Sequence, residues 1–258
     1  MRLTWLFLRV GAMNEMHYRA NFFLQLLHSI TALGIGLASL WLVFHYTNTL
    51  DGWTSNQLLA LMGIHIAVGG LIGAIIQPNM MRLMHDIQQG TLDFVLMKPV
   101  DAQLLVSVRE IRFWQCEDIL MGIGVLITAV GRLHATLSVW QGLAFFVTVL
   151  LGVLQIYCFW LLITSATFWV TRIDDIVDCF EGIYSAGRYP VTVYPSWMRI
   201  GLTFVVPVAF AVTVPTQVIT GRFTVQILLG AITLTASALV LARVVWRLGL
   251  RRYAGASS

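Results

Sequence analysis

An all-α membrane protein with six transmembrane passages is the fold that this sequence predicts, and three observations carry the prediction. Of 258 residues, 58% are hydrophobic and only 11% charged, whereas an average soluble domain is about 25% charged. Charged side chains are absent from residues 20–50, 52–81, 133–171, 200–221 and 223–242. Each of these runs meets or exceeds the roughly 20 residues that cross a bilayer core as a helix, the form that satisfies its own backbone hydrogen bonds in lipid. Basic residues divide unevenly between the connecting segments. With the N-terminus inside, Arg2, Arg9, Arg19, Arg82, Lys98, Arg109, Arg112, Arg243, Arg247, Arg251 and Arg252 fall on the cytoplasmic side, and Asp51 and Arg132 fall outside. Both termini are therefore expected in the cytoplasm. The chain reads as one transmembrane domain over residues 1–258.

The N-terminal stretch, residues 1–20, intersperses Arg2, Arg9, Glu15 and Arg19 too closely for a cleavable signal. It predicts a helix lying in the interface, with Leu6, Val10 and Met13 toward lipid. The first passage follows at about 21–46, and Trp53 in the next loop suits an interface anchor. The second passage, about 58–77, contains Gly69 and Gly73 at a spacing that permits close helix contact in lipid.

Residues 78–112 form the longest polar stretch on the cytoplasmic side. Met80, Leu83, Met84 and Ile87 recur at helical spacing opposite Arg82, Asp86 and Gln89, which predicts a short amphipathic helix over 78–89. Gly90 suits the position after its end, Thr91 the cap of a second short helix through about Val95, and Pro99 the stop. Together they predict a helix-turn-helix on the membrane face. Passages three and four are expected at about 113–133 and 139–170, and the sixth at about 225–246. For the fifth, hydropathy favours 201–220.

The chain carries no P-loop, since its lone lysine, Lys98, precedes Pro99 and follows no glycine-rich turn. No catalytic residues and no metal site are expected, and ATP-driven work would require another subunit. Cys116, Cys158 and Cys179 have no metal or disulfide spacing and read as inert packing residues. The dispersed basic residues are not a nucleic-acid footprint. Asp174, Asp175 and Asp178 spell the Asp-Asp-x-x-Asp pattern with which prenyl-diphosphate enzymes hold magnesium. A second such motif is absent, and Asp174, Asp178 and Glu181 also fit a solvated helix face. A carboxylate in hydrocarbon costs roughly 2.5–3.5 kcal/mol, so Glu117 and Asp118 are expected at the interface, paired with Arg109 and Arg112, or else on a translocation path.

The pieces GTLDFVLMKPVDAQ (90–103), GRYPVTVYPSWMR (187–199), LTFVVPVAFAVTVP (202–215), TGR (220–222) and the ending WRLGLRRYAGASS, set among these passages, resemble the type-2 export permease superfamily of ABC transporters, in a bacterial branch. That resemblance implies a permease subunit of the plasma membrane, working with two ABC ATPase subunits that bind ATP and Mg, and with a second permease chain, identical or homologous. It makes 78–112 a coupling loop, with Gly90, Thr91, Leu92, Asp93, Phe94, Leu96, Lys98 and Pro99 as the ATPase contact. Gln88 and Gln89 stand where many relatives have a charged residue. It also moves the fifth passage to about 172–189 and makes 190–221 an external re-entrant hairpin, carrying Pro190, Pro195 and Trp197 after Gly187 and Tyr189. Pro207 and Pro215 then suit broken helices, and Asp178 and Glu181 would face a polar cavity suited to a cationic substrate or headgroup. Beside a permease, the residues leave open a prenyl-diphosphate-binding enzyme or a membrane scaffold.

Overall fold

The structure is a computed structural model that describes residues 19–133, 138–169 and 176–253. Among these residues the regular elements are helices, and the sole extended pairing is one bridge between Leu50 and Trp53. The interfacial helix expected over 1–20 falls almost wholly outside the described residues. Four stretches are long and apolar enough to cross a membrane: Phe23–Tyr46, Ser55–Gln88, Val139–Ala166 and Val225–Arg252. A bent pair, Ser196–Val205 with Val208–Ile219, makes a fifth if counted as one. The six expected passages are thus not reached by length and apolarity alone. The missing one is the helix Cys116–Leu133, whose 18 residues include Glu117, Asp118 and Arg132.

Helix α1 (Arg19–Tyr46) stands at the periphery of the bundle, and its window is 0% buried. Helix α2 (Ser55–Leu71) starts where the Gln57 side chain accepts the Thr54 amide N–H, closing one of the donors that a helix start leaves free. It runs through a π turn, Ile72–Ile76, into α3 (Gln77–Gln88) without a break. Pro78 is the cause of the irregularity. Lacking an N–H, it cannot bond the Ala74 carbonyl one turn back, and that carbonyl instead accepts the Arg112 amide at 2.9 Å. The expected helix over 78–89 therefore exists, but as the extension of a 34-residue rod. Its apolar residues Met80, Leu83, Met84 and Ile87 are buried in the bundle core rather than laid on a membrane face. At about 1.5 Å per residue the rod is roughly 50 Å long, well beyond a hydrocarbon core of about 30 Å.

Gly90, at φ +73°, closes the rod as expected. The next helix, α4 (Asp93–Leu96), is not capped by Thr91, whose hydroxyl turns back to the Asp86 carboxylate. Helix α5 (Ala102–Ser107) follows, then α6 (Cys116–Leu133) and α7 (Val139–Ala166). Helices α2 and α6 form the closest packed pair, because Gly63 and Gly122 let their backbones meet. A Cβ on Gly122 would stand 2.6 Å from the Gly63 carbonyl oxygen. The anticipated pair, Gly69 and Gly73, does not pack helix on helix: these positions face the side chains of Tyr184 and Gln115.

The region of the fifth passage matches neither straight reading. Helix α8 (Ile176–Ser185) has 10 residues, about 15 Å of rise or half a bilayer core, and residues 172–175 lie outside the described residues. A short turn, Ala186–Arg188, brings Gly187 against His65 and Val208. The chain then reaches Trp53, whose indole N–H donates to Thr192 at 3.3 Å. Helix α9 (Ser196–Ile200) continues through a π turn, Gly201–Val205, before a 97° bend at Val206–Pro207 leads into α10 (Val208–Ile219). At the far end, Arg222 lies over the Trp53 ring at 4.7 Å and donates to Gln57 at 3.1 Å. Residues 190–221 therefore leave and return at the same end of the bundle, the end marked by Trp53. The final helix, α11 (Val225–Arg252), runs from there to the opposite end, where Tyr253 sits beside Leu92 and Asp93.

Candidate functional site

Two places gather the polar chemistry: the loop at one end of the bundle, and a cavity within it. The loop is tied to three helices. Thr91 donates through its N–H to the Asp86 carbonyl (2.9 Å) and through its hydroxyl to the Asp86 carboxylate (3.0 Å), which also holds the Arg109 guanidinium. Asp101 caps α5 by accepting the Gln103 and Leu104 amides at 2.9 and 3.4 Å. Arg243 of α11 pairs with Asp101 and donates to Gln103 at 2.6 Å, while the Tyr157 hydroxyl of α7 accepts from Gln103 and lies 2.9 Å from the Ser107 hydroxyl. Phe168, Trp246 and Tyr253 pack edge to face around the same end.

These ties leave an apolar face uncovered. Leu92, Val95 and Val106 point inward and are buried, but Phe94 is 68% and Met97 73% exposed, with Leu96, Val100 and Leu104 also open. Gly90 and Thr91 are half-buried, Asp93 is half-buried, and Lys98 and Pro99 are exposed. Of the residues expected at a docking contact, Leu92 is buried and faces the core. Met97 was passed over between Leu96 and Lys98, and Val100 and Leu104 lie beyond Pro99, where the expected contact ended.

The Arg243 hydrogen bond, aided by the Leu104 and Gln103 amides, holds the Asp101 carboxyl down from 3.8 to about 2. A carboxyl titrating lower in the folded than in the unfolded chain contributes stability above pH 3.8, lost as pH falls toward 2. The wild-type chain in detergent is therefore expected to lose thermal stability across that window, and Asp101→Asn to show a flatter profile there. Identical profiles would show that this pair does not steady the loop.

The cavity, about 340 Å³, lies between α1, α2, the start of α6 and the 184–189 turn. An adjoining space of about 280 Å³ shares His65, Gly69, Gln115, Tyr184 and Arg188 with it and extends to Gln77 and Glu181. The glycines of α2 and its π turn make room for the walls of these spaces: an added Cβ would come within 3.2 Å of Tyr184 at Gly69, 2.9 Å of Asp118 at Gly70 and 2.9 Å of Gln115 at Gly73. The His65 ring stacks on Tyr184 at 4.5 Å between centroids, and the Tyr184 hydroxyl donates to the His65 carbonyl at 2.8 Å. Glu181 accepts from Gln77 at 3.3 Å.

The sequence-derived candidates divide accordingly. Asp118, Glu181 and Tyr189 line these spaces, and Gly187 touches the His65 wall. Asp178 is exposed and lines neither, Asp174 and Asp175 lie outside the described residues, and Pro207 and Pro215 shape α10. Pro190 is buried and Pro195 and Trp197 are exposed near the Trp53 end. The pairing expected for Glu117 and Asp118 with Arg109 and Arg112 does not form: Arg109 takes Asp86, and the Glu117 oxygens are buried beside Ser29 and Asp118. Cys158 is buried, but Cys116 and Cys179 are exposed rather than packed inside this chain. His28, His65, Gln115 and Arg188 were missed as cavity residues. For His28, His65 and Arg188 an isolated cation or histidine was the only signal, and Gln115 gave none.

A family model described as ABC-2 family transporter protein matches residues 30–257 of the chain. No curated protein and no solved structure matches it.

Proposed function

Since this chain belongs to the ABC-2 family of transporters, and is therefore a membrane permease component rather than an ATPase, we propose that it couples ATP hydrolysis on separate subunits to export across the bacterial plasma membrane. Two ABC ATPases, holding ATP and Mg, dock beneath the loop, and a second permease chain, identical or homologous, completes the path. In this reading the loop end is cytoplasmic together with both termini, six passages cross, and residues 190–221 form an outer re-entrant hairpin. Membrane lipids surround the whole.

The observation that carries the proposal is the tethered loop with its open apolar face. Phe94, Met97, Val100 and Leu104 find no cover among the described residues, while Asp86–Arg109, Tyr157 and Arg243 fix that loop to three helices. An exposed apolar cluster on a rigid mount is what a partner interface needs. Force delivered there passes into the continuous α2–α3 rod, and the rod's middle is the cavity wall at His65 and Gly69. ATP can drive the change only by favouring one of two arrangements of these helices.

The test is co-purification of the permease with its ATPase and measurement of ATP hydrolysis by the reconstituted complex. Joint Phe94→Ala and Met97→Ala replacement is expected to weaken assembly about ten-fold or more, in line with hot-spot truncations of about 2 kcal/mol. Full assembly with unchanged ATPase coupling in that double variant would remove the loop from the docking site.

A further inference from the structure

The sign and placement of the charges in the cavity carry an inference about what enters it, one that rests on the reading of this cavity as the path of a permease. Asp118 and Arg188 both line the 340 Å³ space. Among the described residues neither side chain forms a salt bridge; Arg188 acts on His65 and Asp118 on Glu117 only through their charge. Asp118 sits at the level of Gly70, and Arg188 stands beside His65 and Tyr184. Five positions along α2 separate those levels, about 7.5 Å of axial distance. Counted from Ser55, His65 is about 15 Å along the rod.

Within this chain Arg188 is exposed and Asp118 half-buried beside Glu117, and a charge within a bilayer core is as a rule paired or functional. Here two opposite charges share one space without bridging. Neither an anion nor a cation alone answers both. From Arg188 toward the Trp53 end, the walls become apolar: Leu33, Leu40, Leu58 and Met62, with Gly36 leaving room. A volume of about 340 Å³ falls within the roughly 300–1,000 Å³ of small-molecule sites.

We propose that the cavity binds a zwitterionic amphiphile, its phosphate or carboxylate on Arg188, its ammonium on Asp118, and its apolar chain along Leu33, Leu40, Leu58 and Met62. His65, 7% exposed and with Nδ1 unpartnered, forms the polar shoulder beside Arg188. The expectation of a cationic substrate or headgroup drawn from Asp178 and Glu181 shifts here to Asp118, since Asp178 is exposed and lines neither space and Glu181 accepts from Gln77.

Native mass spectrometry of the delipidated full chain tests the proposal, with short-chain phosphatidylethanolamine, phosphatidylglycerol and a cationic ethylphosphocholine lipid as probes, and a long-chain acylcarnitine, a zwitterion without phosphate, to separate a phospholipid from an acylated metabolite. The zwitterionic probes are expected to be retained about ten-fold better than either singly charged lipid, the ratio that corresponds to one charge-assisted hydrogen bond of about 1.5 kcal/mol. Arg188→Gln is expected to shift preference toward the cationic lipid and Asp118→Asn toward phosphatidylglycerol. The exchange Arg188→Asp with Asp118→Arg is expected to recover the zwitterion. Equal retention of all probes by the wild-type chain, or preference unmoved by both single variants, overturns the proposal. Assembly with the ATPase is read independently at the loop, so a failed lipid preference with intact coupling would sink this inference alone.

Discussion

Replacing Gly122 by leucine is expected to stop the chain from accumulating as a folded membrane protein, while the same change at Gly124 leaves it intact. The two glycines are two residues apart on α6, but their surroundings differ. A Cβ at Gly122 would stand 2.6 Å from the Gly63 carbonyl oxygen and 2.8 Å from the Ala67 Cα, all backbone, whereas nothing lies within 4 Å at Gly124. Flexible side chains can move aside, but backbone atoms yield only if α2 and α6 separate. In lipid no hydrophobic force pulls helices together, so their association depends on such close van der Waals contact. Overpacking costs typically about 1–3 kcal/mol even where side chains can adjust, and a leucine here meets a wall that cannot. At Gly124 the substitution should instead gain up to about 1 kcal/mol of helix propensity.

The consequence reaches the cavity. Helix α6 carries Glu117 and Asp118 in its first turn, and the Gly63–Gly122 contact sets where that turn meets Gly70. Detergent extracts of cells expressing tagged Gly122→Leu should give an aggregated or absent peak on size-exclusion chromatography, and Gly124→Leu a wild-type one. Matching monodisperse peaks and melting temperatures would show that α2 and α6 do not rely on this crossing.

The same pair shows what the sequence made legible. Charge-free runs located the long helices, because burial in lipid constrains composition directly and over many residues. Gly90 was legible because a positive φ is a local demand. Which glycines face a neighbouring helix is not local: Gly69 and Gly73 have the expected spacing, yet they host Tyr184 and Gln115, and the backbone contact falls at Gly63 and Gly122. Pro78 was misread as the start of a separate helix because proline at a first turn is normally just that, whereas here a π turn absorbs it. The carboxylates of α6 were assigned to the nearest arginines in the chain, but Arg109 takes a partner 23 residues away, Asp86. For the fifth passage hydropathy favours 201–220 and the resemblance 172–189, because hydropathy counts residues and does not register the 97° bend within 196–219. The cavity was largely illegible, since Arg188, His65 and Asp118 come from three segments that only packing brings together.

Replacing Asn79 by alanine is expected to release the 109–112 segment from the rod and to uncouple the loop from α2, although Asn79 touches no solvent. Its side chain is 0% exposed and uses every group it has. The amide nitrogen donates to the Ile75 and Glu110 carbonyls, each at 2.6 Å, and the oxygen accepts the Arg109 and Glu110 amides at 2.8 and 2.9 Å. One residue earlier, Pro78 leaves the Ala74 carbonyl free for the Arg112 amide. The proline and the asparagine thus act together: one opens an acceptor in the rod, the other bridges rod and loop. Alanine would strand two N–H groups and the Glu110 carbonyl in a buried place. At roughly 1–3 kcal/mol for each unsatisfied group, the loss is on the order of 3 kcal/mol or more. Aspartate is no rescue, because it would keep the acceptors for the two amides but turn a buried charge toward two carbonyl oxygens. Hydrogen exchange followed by mass spectrometry gives the readout. The Arg109, Glu110 and Arg112 amides should exchange much faster in Asn79→Ala, with the α7 amides unchanged, and ATP hydrolysis by the assembled complex should lose its dependence on the permease even with Phe94 and Met97 in place. Protected loop amides in that variant would mean that another contact holds the segment, and the rod would no longer be the route from loop to cavity.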